Sequence, residues 1–138
     1  MIANGVLLGG HVHVGDHATL SGFVGVHHYT TIGRYCFITG ASRVMHDVPP
    51  FMLMDGDPCR PRRVNNVALK RNNFSPDLIS ALAEAHRLIY RVKVGLQSAG
   101  EKLRSSSLLF PEVVQLLDFV QTQQRGRHGR ARELRRAA

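Results

Sequence analysis

An aliphatic residue recurs at every sixth position of residues 2–44, which read IANGVLLGGHVHVGDHATLSGFVGVHHYTTIGRYCFITGASRV. The eight positions with this spacing are Ile2, Leu8, Val14, Leu20, Val26, Ile32, Ile38 and Val44. The residue four places after each of the first seven is small or β-branched. Neither an α-helix, with 3.6 residues per turn, nor a two-sided strand, with a period of two, produces this spacing.

A parallel β-helix explains the period, because each coil has three short faces of about six residues and one inward aliphatic side chain per face. Glycine follows the aliphatic residue at Gly9, Gly15 and Gly33, which suits corners that need a positive φ or close backbone approach. The pattern begins without a polar cap. We therefore expect a piece of a longer repeat, or a coil whose open end a partner covers.

After Val44 the period ends and turn-forming residues precede helical patterns. Ser75 and Pro76 predict a helix start, with Ser as N-cap and Pro at the first helical position. Further helices are expected over about residues 99–104 and from Pro111. Four segments are predicted: β-helix coils over 1–48, an extended connector over 49–74, a helical domain over 75–124 and a basic, disordered tail over 125–138.

The formal net charge of +8 comes mostly from the end of the chain, where residues 125–138 hold six arginines against Glu133. This segment lacks the interleaved aromatic residues of single-strand nucleic-acid binders, so we expect a solvated tail and no nucleic-acid partner. Attraction to an anionic membrane surface or to an acidic protein is the alternative.

Cysteine and histidine positions give no sign of a metal site. Cys36 and Cys59 have no metal-binding spacing, and no pairing among the eight histidines resembles a metal site with supporting carboxylates, so we expect no metal. No apolar run approaches the roughly 18–20 residues that cross a bilayer, and the start lacks a basic signal region. We expect a reduced, cytoplasmic protein without stable membrane insertion.

Five sequence blocks resemble the acyl-carrier-protein-dependent UDP-N-acetylglucosamine O-acyltransferases of lipid A synthesis. They are GGHV at 9–12, VHHY at 26–29, DVPPF at 47–51, RVNNVALKRNNFS at 63–75 and AHRLIYR at 85–91. Their order is that of the C-terminal portion of the family. The resemblance implies a left-handed parallel β-helix, truncated at its N-terminus, followed by a small α-helical C-terminal domain. General topology favours right-handed crossovers, so the handedness comes from the resemblance alone.

The resemblance also implies a homotrimer with active sites between subunits. The reaction is transfer of a 3-hydroxyacyl chain from acyl carrier protein to the 3-hydroxyl of UDP-N-acetylglucosamine, the first step of lipid A biosynthesis. The donor is the carrier's phosphopantetheine thioester, and no other cofactor is implied. The chemistry needs a base for the hydroxyl and hydrogen-bond donors for the oxyanion.

The family's base is a histidine in an HxxHD-like stretch of the coil before the first one present here, so it is absent from this sequence. Gly10 matches the residue whose backbone N–H serves the oxyanion, and His11 matches a histidine near the sugar. His27 matches a histidine that lines the cleft. Since His11 and His27 are sixteen residues apart in a coil of about eighteen, we expect them close together on adjacent turns.

Other matches concern substrate binding. His28 stands where the family often has glutamine, Asn65 matches a uridine-contacting asparagine, and Arg71 matches an arginine near the diphosphate. Gly40 matches the position that limits acyl-chain length, which implies a long chain, although a glycine required by a corner is the alternative. Three positions depart from the family pattern: Val67, Ala68 and Asn72.

Three functions are compatible with the sequence. The first is the acyltransferase, with this chain as part of its active-site scaffold. The second is a non-catalytic trimeric nucleotide-sugar-binding or scaffold protein that has lost the base. The third is a hexapeptide-repeat acetyltransferase that uses coenzyme A, which the connector blocks disfavour.

Overall fold

The computed structural model describes residues 1–133. Its first part is a parallel β-helix, as the six-residue period predicts. Each of the first four strands pairs in parallel with the strand eighteen residues further along the chain, so that Leu8 lies beside Val26 and Val26 beside Val44. The strands β1 to β7 are Leu7–Leu8, His13–Val14, Thr19–Leu20, Gly25–Val26, Thr31–Ile32, Phe37–Ile38 and Arg43–Val44.

The eight aliphatic residues with the six-residue spacing, here called the axial column, are buried over most of the length of the coil. Leu20, Ile32 and Ile38 are fully buried, and Val26 and Val44 nearly so. By contrast, Ile2, Leu8 and Val14 are 50%, 44% and 38% exposed, because no further coil of the described residues covers that end. The column is thus a core only where coils stack on both sides.

The corners of the coil differ from the prediction in one respect. A left-handed backbone, with φ between 56° and 63°, occurs at six non-glycine residues with the same six-residue spacing: His11, His17, Phe23, Tyr29, Tyr35 and Ala41. The glycines predicted at corners serve close approach instead, since a Cβ on Gly9 would lie 2.5 Å from the backbone nitrogen of His28 and one on Gly33 2.4 Å from that of Pro50. Aromatic rings stack from corner to corner, His17 on Tyr35 with 4.6 Å between centroids.

The segment predicted as an extended connector contains a hairpin and a short helix. Strand β8 (Met52–Gly56) continues the sheet of β6 and pairs in antiparallel with β9 (Cys59–Val64), and helix α1 spans Asn66–Arg71. The prolines of this segment argue against a strand, because proline has no N–H to donate between strands. Pro61 is tolerated because β9 is the edge strand of its sheet.

The helices pack against this hairpin and one another. Helix α2 spans Pro76–His86 and continues into a π-helical turn over Arg87–Val92, while α3 spans Leu96–Ser105 and α4 spans Pro111–Arg125. Ser75 caps α2 as predicted, because its hydroxyl accepts a hydrogen bond from the Leu78 N–H at 3.1 Å. None of the helices in the described part of the chain is long and apolar enough to cross a bilayer.

The basic segment that follows α4 is folded as far as Glu133, which corrects the prediction of a disordered tail from residue 125. Arg130 is only 4% exposed, and its guanidinium donates to the Met45 carbonyl at 2.6 Å. The Ala131 N–H donates to the Asp47 carboxylate at 2.7 Å. The segment is held because the coil offers backbone carbonyls to its arginines and the Asp47 carboxylate to its backbone; residues 134–138 lie outside the described residues.

Candidate functional site

The predicted site residues lie around two separate hollows. The larger one, here called the histidine hollow, has a volume of about 840 Å³. It lies between the coil and the C-terminal segment and is lined by His27, His28, Tyr29, Met45, His46, Arg127, His128, Arg130, Arg132 and Glu133. The coil supplies four of its histidine and tyrosine side chains, and the folded C-terminal segment supplies its charged residues.

Gly10 and His11 form the corner beside the histidine hollow without lining it. The His11 ring stacks on that of Tyr29, with 4.6 Å between centroids and 13° between planes. The Gly10 carbonyl accepts the Tyr29 N–H at 2.9 Å, whereas no acceptor within residues 1–133 takes the Gly10 N–H. Gly10 is exposed, and a Cβ added there would meet no atom within 4 Å. Its N–H can therefore bind a ligand.

His27 and His28 are adjacent in sequence and in space. Their ring centroids lie 3.8 Å apart, and Nδ1 of His27 lies 3.1 Å from the His28 carbonyl oxygen. His28 is half-exposed, and its Nε2 lies 3.9 Å from a carboxylate oxygen of Glu133. The hydrogen bond from Arg130 lowers the pKa of Glu133, so this carboxylate is charged at neutral pH. On the adjacent turn the His11 ring stacks on Tyr29, two residues after His27, and the expected proximity of His11 and His27 stays a prediction.

Asp47 anchors the C-terminal segment and was not predicted as a functional residue. Asp47 is 3% exposed, and its carboxylate accepts the Thr31 N–H at 2.8 Å and the Ala131 N–H at 2.7 Å. Burial raises the pKa of Asp47, while these N–H donors act in the opposite direction. The sequence shows that Asp47 follows the last repeat. It gives no sign that its partner lies near the end of the chain.

Asn65 and Arg71 lie at the second hollow, of about 500 Å³, together with His17 and Asn72. Asn65 is 6% exposed, and its side-chain amide donates to the Tyr35 carbonyl at 2.9 Å. Arg71 is exposed in the last turn of α1. Within one chain the structure therefore does not bring these two residues to the histidine hollow.

Comparison with known proteins identifies the family. The family model described as UDP-N-acetylglucosamine O-acyltransferase, domain 2, matches residues 47–128. The acyl-[acyl-carrier-protein]–UDP-N-acetylglucosamine O-acyltransferase of Thiobacillus denitrificans is 40% identical over 91% of this chain and 49% of its own length. The chain belongs to the UDP-N-acetylglucosamine O-acyltransferase family. The Xylella fastidiosa member is also 40% identical, over 91% of this chain and 48% of its own.

Solved structures of UDP-N-acetylglucosamine acyltransferases have the same fold. The enzyme of Francisella novicida superposes with a TM-score of 0.77 at 32% identity, over 88% of this chain and 45% of its own. The enzyme of Arabidopsis gives 0.76 at 32% identity, over 87% and 44%. The chain spans about half the length of the curated relatives that it matches.

Gly40, which the resemblance predicts to occupy the acyl-length position, is exposed. A Cβ added there would meet only the Gly22 carbonyl, at 3.4 Å, and Gly40 is not among the residues with positive φ. The coil therefore does not require glycine at this corner. The explanation of Gly40 as a residue needed for the turn is not supported, and its role in chain length stays a prediction.

One group in the described part of this family member has metal-ligand geometry, contrary to the expectation that histidines would lack a nearby carboxylate. The ligand atoms of His27, His28 and Glu133 lie within 4.8 Å of one another. Glu133 could not be foreseen, because it comes from the far end of the chain. Arg130 already binds Oε2 of this carboxylate, so a cation held at Oε1 beside His28 would lie close to a guanidinium.

Proposed function

We propose that this chain forms the C-terminal part of the active-site scaffold of an acyltransferase. That enzyme transfers a 3-hydroxyacyl chain from acyl carrier protein to the 3-hydroxyl of UDP-N-acetylglucosamine. Membership of the family supports the proposal, together with the clustering of Gly10, His11, His27 and His28 around one corner of the coil. The donor thioester is carried by phosphopantetheine, and the proposal includes no other cofactor.

In this reaction the sugar oxygen adds to the thioester carbon to give an oxyanion, which then expels the phosphopantetheine sulfur. The sulfur leaves as a thiol with the proton that the base took from the sugar hydroxyl. The Gly10 N–H has no partner in the described chain and would donate to the oxyanion. His11 and His27 would orient the sugar. No HxxHD-like stretch occurs in this sequence, so the base that takes the hydroxyl proton would come from another segment.

The two hollows are compatible with a trimer. If the active site lies between subunits, Asn65 and Arg71 of one protomer can face the histidine hollow of its neighbour. This arrangement would place a uridine contact and a diphosphate contact opposite His28, although the three residues are apart within one chain. A left-handed coil, a homotrimer and a cytoplasmic location are parts of this proposal.

A second candidate is a non-catalytic trimeric protein that binds the nucleotide sugar or serves as a scaffold. The hydrogen-bond partners of the histidine rings favour it. Within residues 1–133 the rings of His27, His46 and His86 bond to backbone carbonyls, and no histidine has a carboxylate within hydrogen-bond distance. None is therefore paired as a general base usually is.

Calorimetric titration with UDP-N-acetylglucosamine, beside an assay for thioester transfer from a 3-hydroxyacyl carrier protein, tests both candidates. The acyltransferase predicts binding and formation of UDP-3-O-acyl product once the segment with the base is supplied. The scaffold predicts binding without product under the same conditions. Absence of binding contradicts both.

A matched pair of variants locates the site. His11→Ala should weaken binding of the nucleotide sugar, whereas His13→Ala should leave it unchanged, because His13 is exposed on strand β2 and lines neither hollow. Equal effects of the two substitutions would place the sugar away from this corner.

A further inference from the structure

The histidine hollow carries an excess of positive charge. Three arginines and four histidines line it, against Glu133 alone. Arg130 is engaged, because it binds Glu133 and the Met45 carbonyl. Arg132 is also engaged, since it donates to the Thr31 hydroxyl at 2.9 Å and to the Thr30 carbonyl at 3.1 Å. These two guanidinium groups hold the wall of the hollow in place.

Arg127 differs from the other two arginines. It is partly buried and lines the hollow, and its guanidinium makes no hydrogen bond or salt bridge within residues 1–133. Its backbone is fixed, because Arg127 and Arg130 form an antiparallel bridge and the Arg130 N–H donates to the Arg127 carbonyl at 3.0 Å. A fixed backbone with an unpaired guanidinium is a ready binding group for an anion.

The histidines around Arg127 can add hydrogen bonds. Nδ1 of His46 lies 2.6 Å from the His128 carbonyl oxygen and donates to it, so this ring holds His128 in place at the hollow. His28 is half-exposed, and His128 is exposed at the rim. Imidazoles beside a guanidinium provide several donors in a small volume.

We propose that the histidine hollow binds a phosphate or diphosphate group, with Arg127 as its principal contact and His28 and His128 as further donors. The volume of about 840 Å³ lies in the range of small-molecule sites. A guanidinium fork matches two phosphate oxygens. The identity of the ligand that carries this phosphate rests on the proposed function. It is the nucleotide sugar or the phosphopantetheine arm of the carrier protein.

Charge favours an anion over the metal ion that the geometry of His27, His28 and Glu133 would also admit. A divalent cation at the Glu133 Oε1 would lie close to the Arg130 guanidinium on Oε2 and to the other arginines of the hollow, and like charges repel strongly at short range. An anion meets no such repulsion from the arginines. Because Arg130 neutralises Glu133, the glutamate does not repel the anion strongly.

The test is calorimetric titration of the whole chain with inorganic pyrophosphate at low ionic strength. We expect binding by the native chain and about tenfold or more weakening in Arg127→Gln, since a hydrogen bond to a charged group is lost. The matched control is Arg125→Gln, which removes the same charge from an exposed residue at the end of α4 that does not line the hollow. Thermal unfolding should show that both variants keep the native fold.

Two outcomes overturn the inference: equal pyrophosphate affinity in the native chain and Arg127→Gln, or an equal loss in the two variants. Zinc binding that is abolished by Glu133→Gln, without pyrophosphate binding, overturns it in favour of a metal site. Parallel titrations with UDP, UDP-N-acetylglucosamine and phosphopantetheine identify which ligand carries the phosphate. Arg127-dependent binding of pyrophosphate without binding of UDP-N-acetylglucosamine supports the anion site and contradicts the proposed function.

Discussion

Arg132 donates a hydrogen bond to the backbone carbonyl of His11, and so joins the end of the described chain to its first coil. His11 has a left-handed backbone and stacks on Tyr29, which leaves its carbonyl directed toward the C-terminal segment. The same guanidinium binds Thr30 and Thr31 on the next coil. A residue outside the repeats therefore ties together the two coils that carry the candidate site.

The substitution Arg132→Met should lower the free energy of unfolding by about 2 kcal/mol, because hydrogen bonds from a charged group are lost while the apolar stem is kept. Urea denaturation measures the difference. Arg125→Met is the control and should change stability by no more than about 0.5 kcal/mol, as is usual at exposed positions. A similar change in both variants would mean that the Arg132 contacts contribute little.

Two leucines of the axial column should respond differently to the same truncation. Leu20→Ala should lower stability by about 2–5 kcal/mol, since Leu20 is fully buried and the substitution leaves a cavity. Leu8→Ala should lower it by about 1 kcal/mol or less, because Leu8 is 44% exposed. Urea denaturation midpoints of the two variants measure the two losses of stability. An equally large loss at Leu8 would indicate that something covers the first coil in solution.

A matched pair of glycines tests the packing between coils. In Gly33→Ala the new Cβ would lie 2.4 Å from the Pro50 nitrogen and 2.7 Å from the Val48 carbonyl oxygen, so the backbone must shift. We expect a loss of about 1–3 kcal/mol or failure to fold. Gly40→Ala should be nearly neutral, within about 0.5 kcal/mol, because its nearest contact is 3.4 Å away. Thermal unfolding compares the two.

The sequence period was sufficient to predict the coil because each axial residue contacts its neighbour one coil away, at a constant spacing. The cap of α2 was predictable for a similar reason, since Ser75 bonds to Leu78 within the same turn. The hairpin was missed because Pro61 resembles a breaker, although an edge strand tolerates it. The left-handed corners were missed because histidine, phenylalanine and tyrosine occupy them in place of glycine.

The candidate site was only partly predictable. The adjacency of His27 and His28 is evident in the sequence, but their charged partners come from residues 127–133. Asp47 connects to Ala131, 84 residues away, and no local pattern encodes such a contact. A run of arginines also resembles a solvated tail until the carbonyls that they bind are known. Long-range polar contacts, unlike repeats, leave no periodic signal.

The two cysteines allow a test of burial by their pH dependence. Burial raises the pKa of Cys36 to about 12 and that of Cys59 to about 11, from an ordinary value of 9.0. The thiolate is the reactive form, so native protein at pH 8 should be alkylated by iodoacetamide far more slowly than unfolded protein. Cys59, which is only partly buried, should react before Cys36 as the pH rises. Peptide mass spectrometry follows each residue.

The same shifts set the direction of a stability change. Between pH 9 and about 11 the folded chain holds the Cys59 proton while the unfolded chain releases it, so stability falls as the pH rises through this window. Cys59→Ala removes this thiol, and its unfolding free energy should fall less steeply between pH 9 and 11 than that of the native chain. Identical slopes in the two proteins, or rapid alkylation of Cys36 at pH 8, would contradict the buried positions of these thiols.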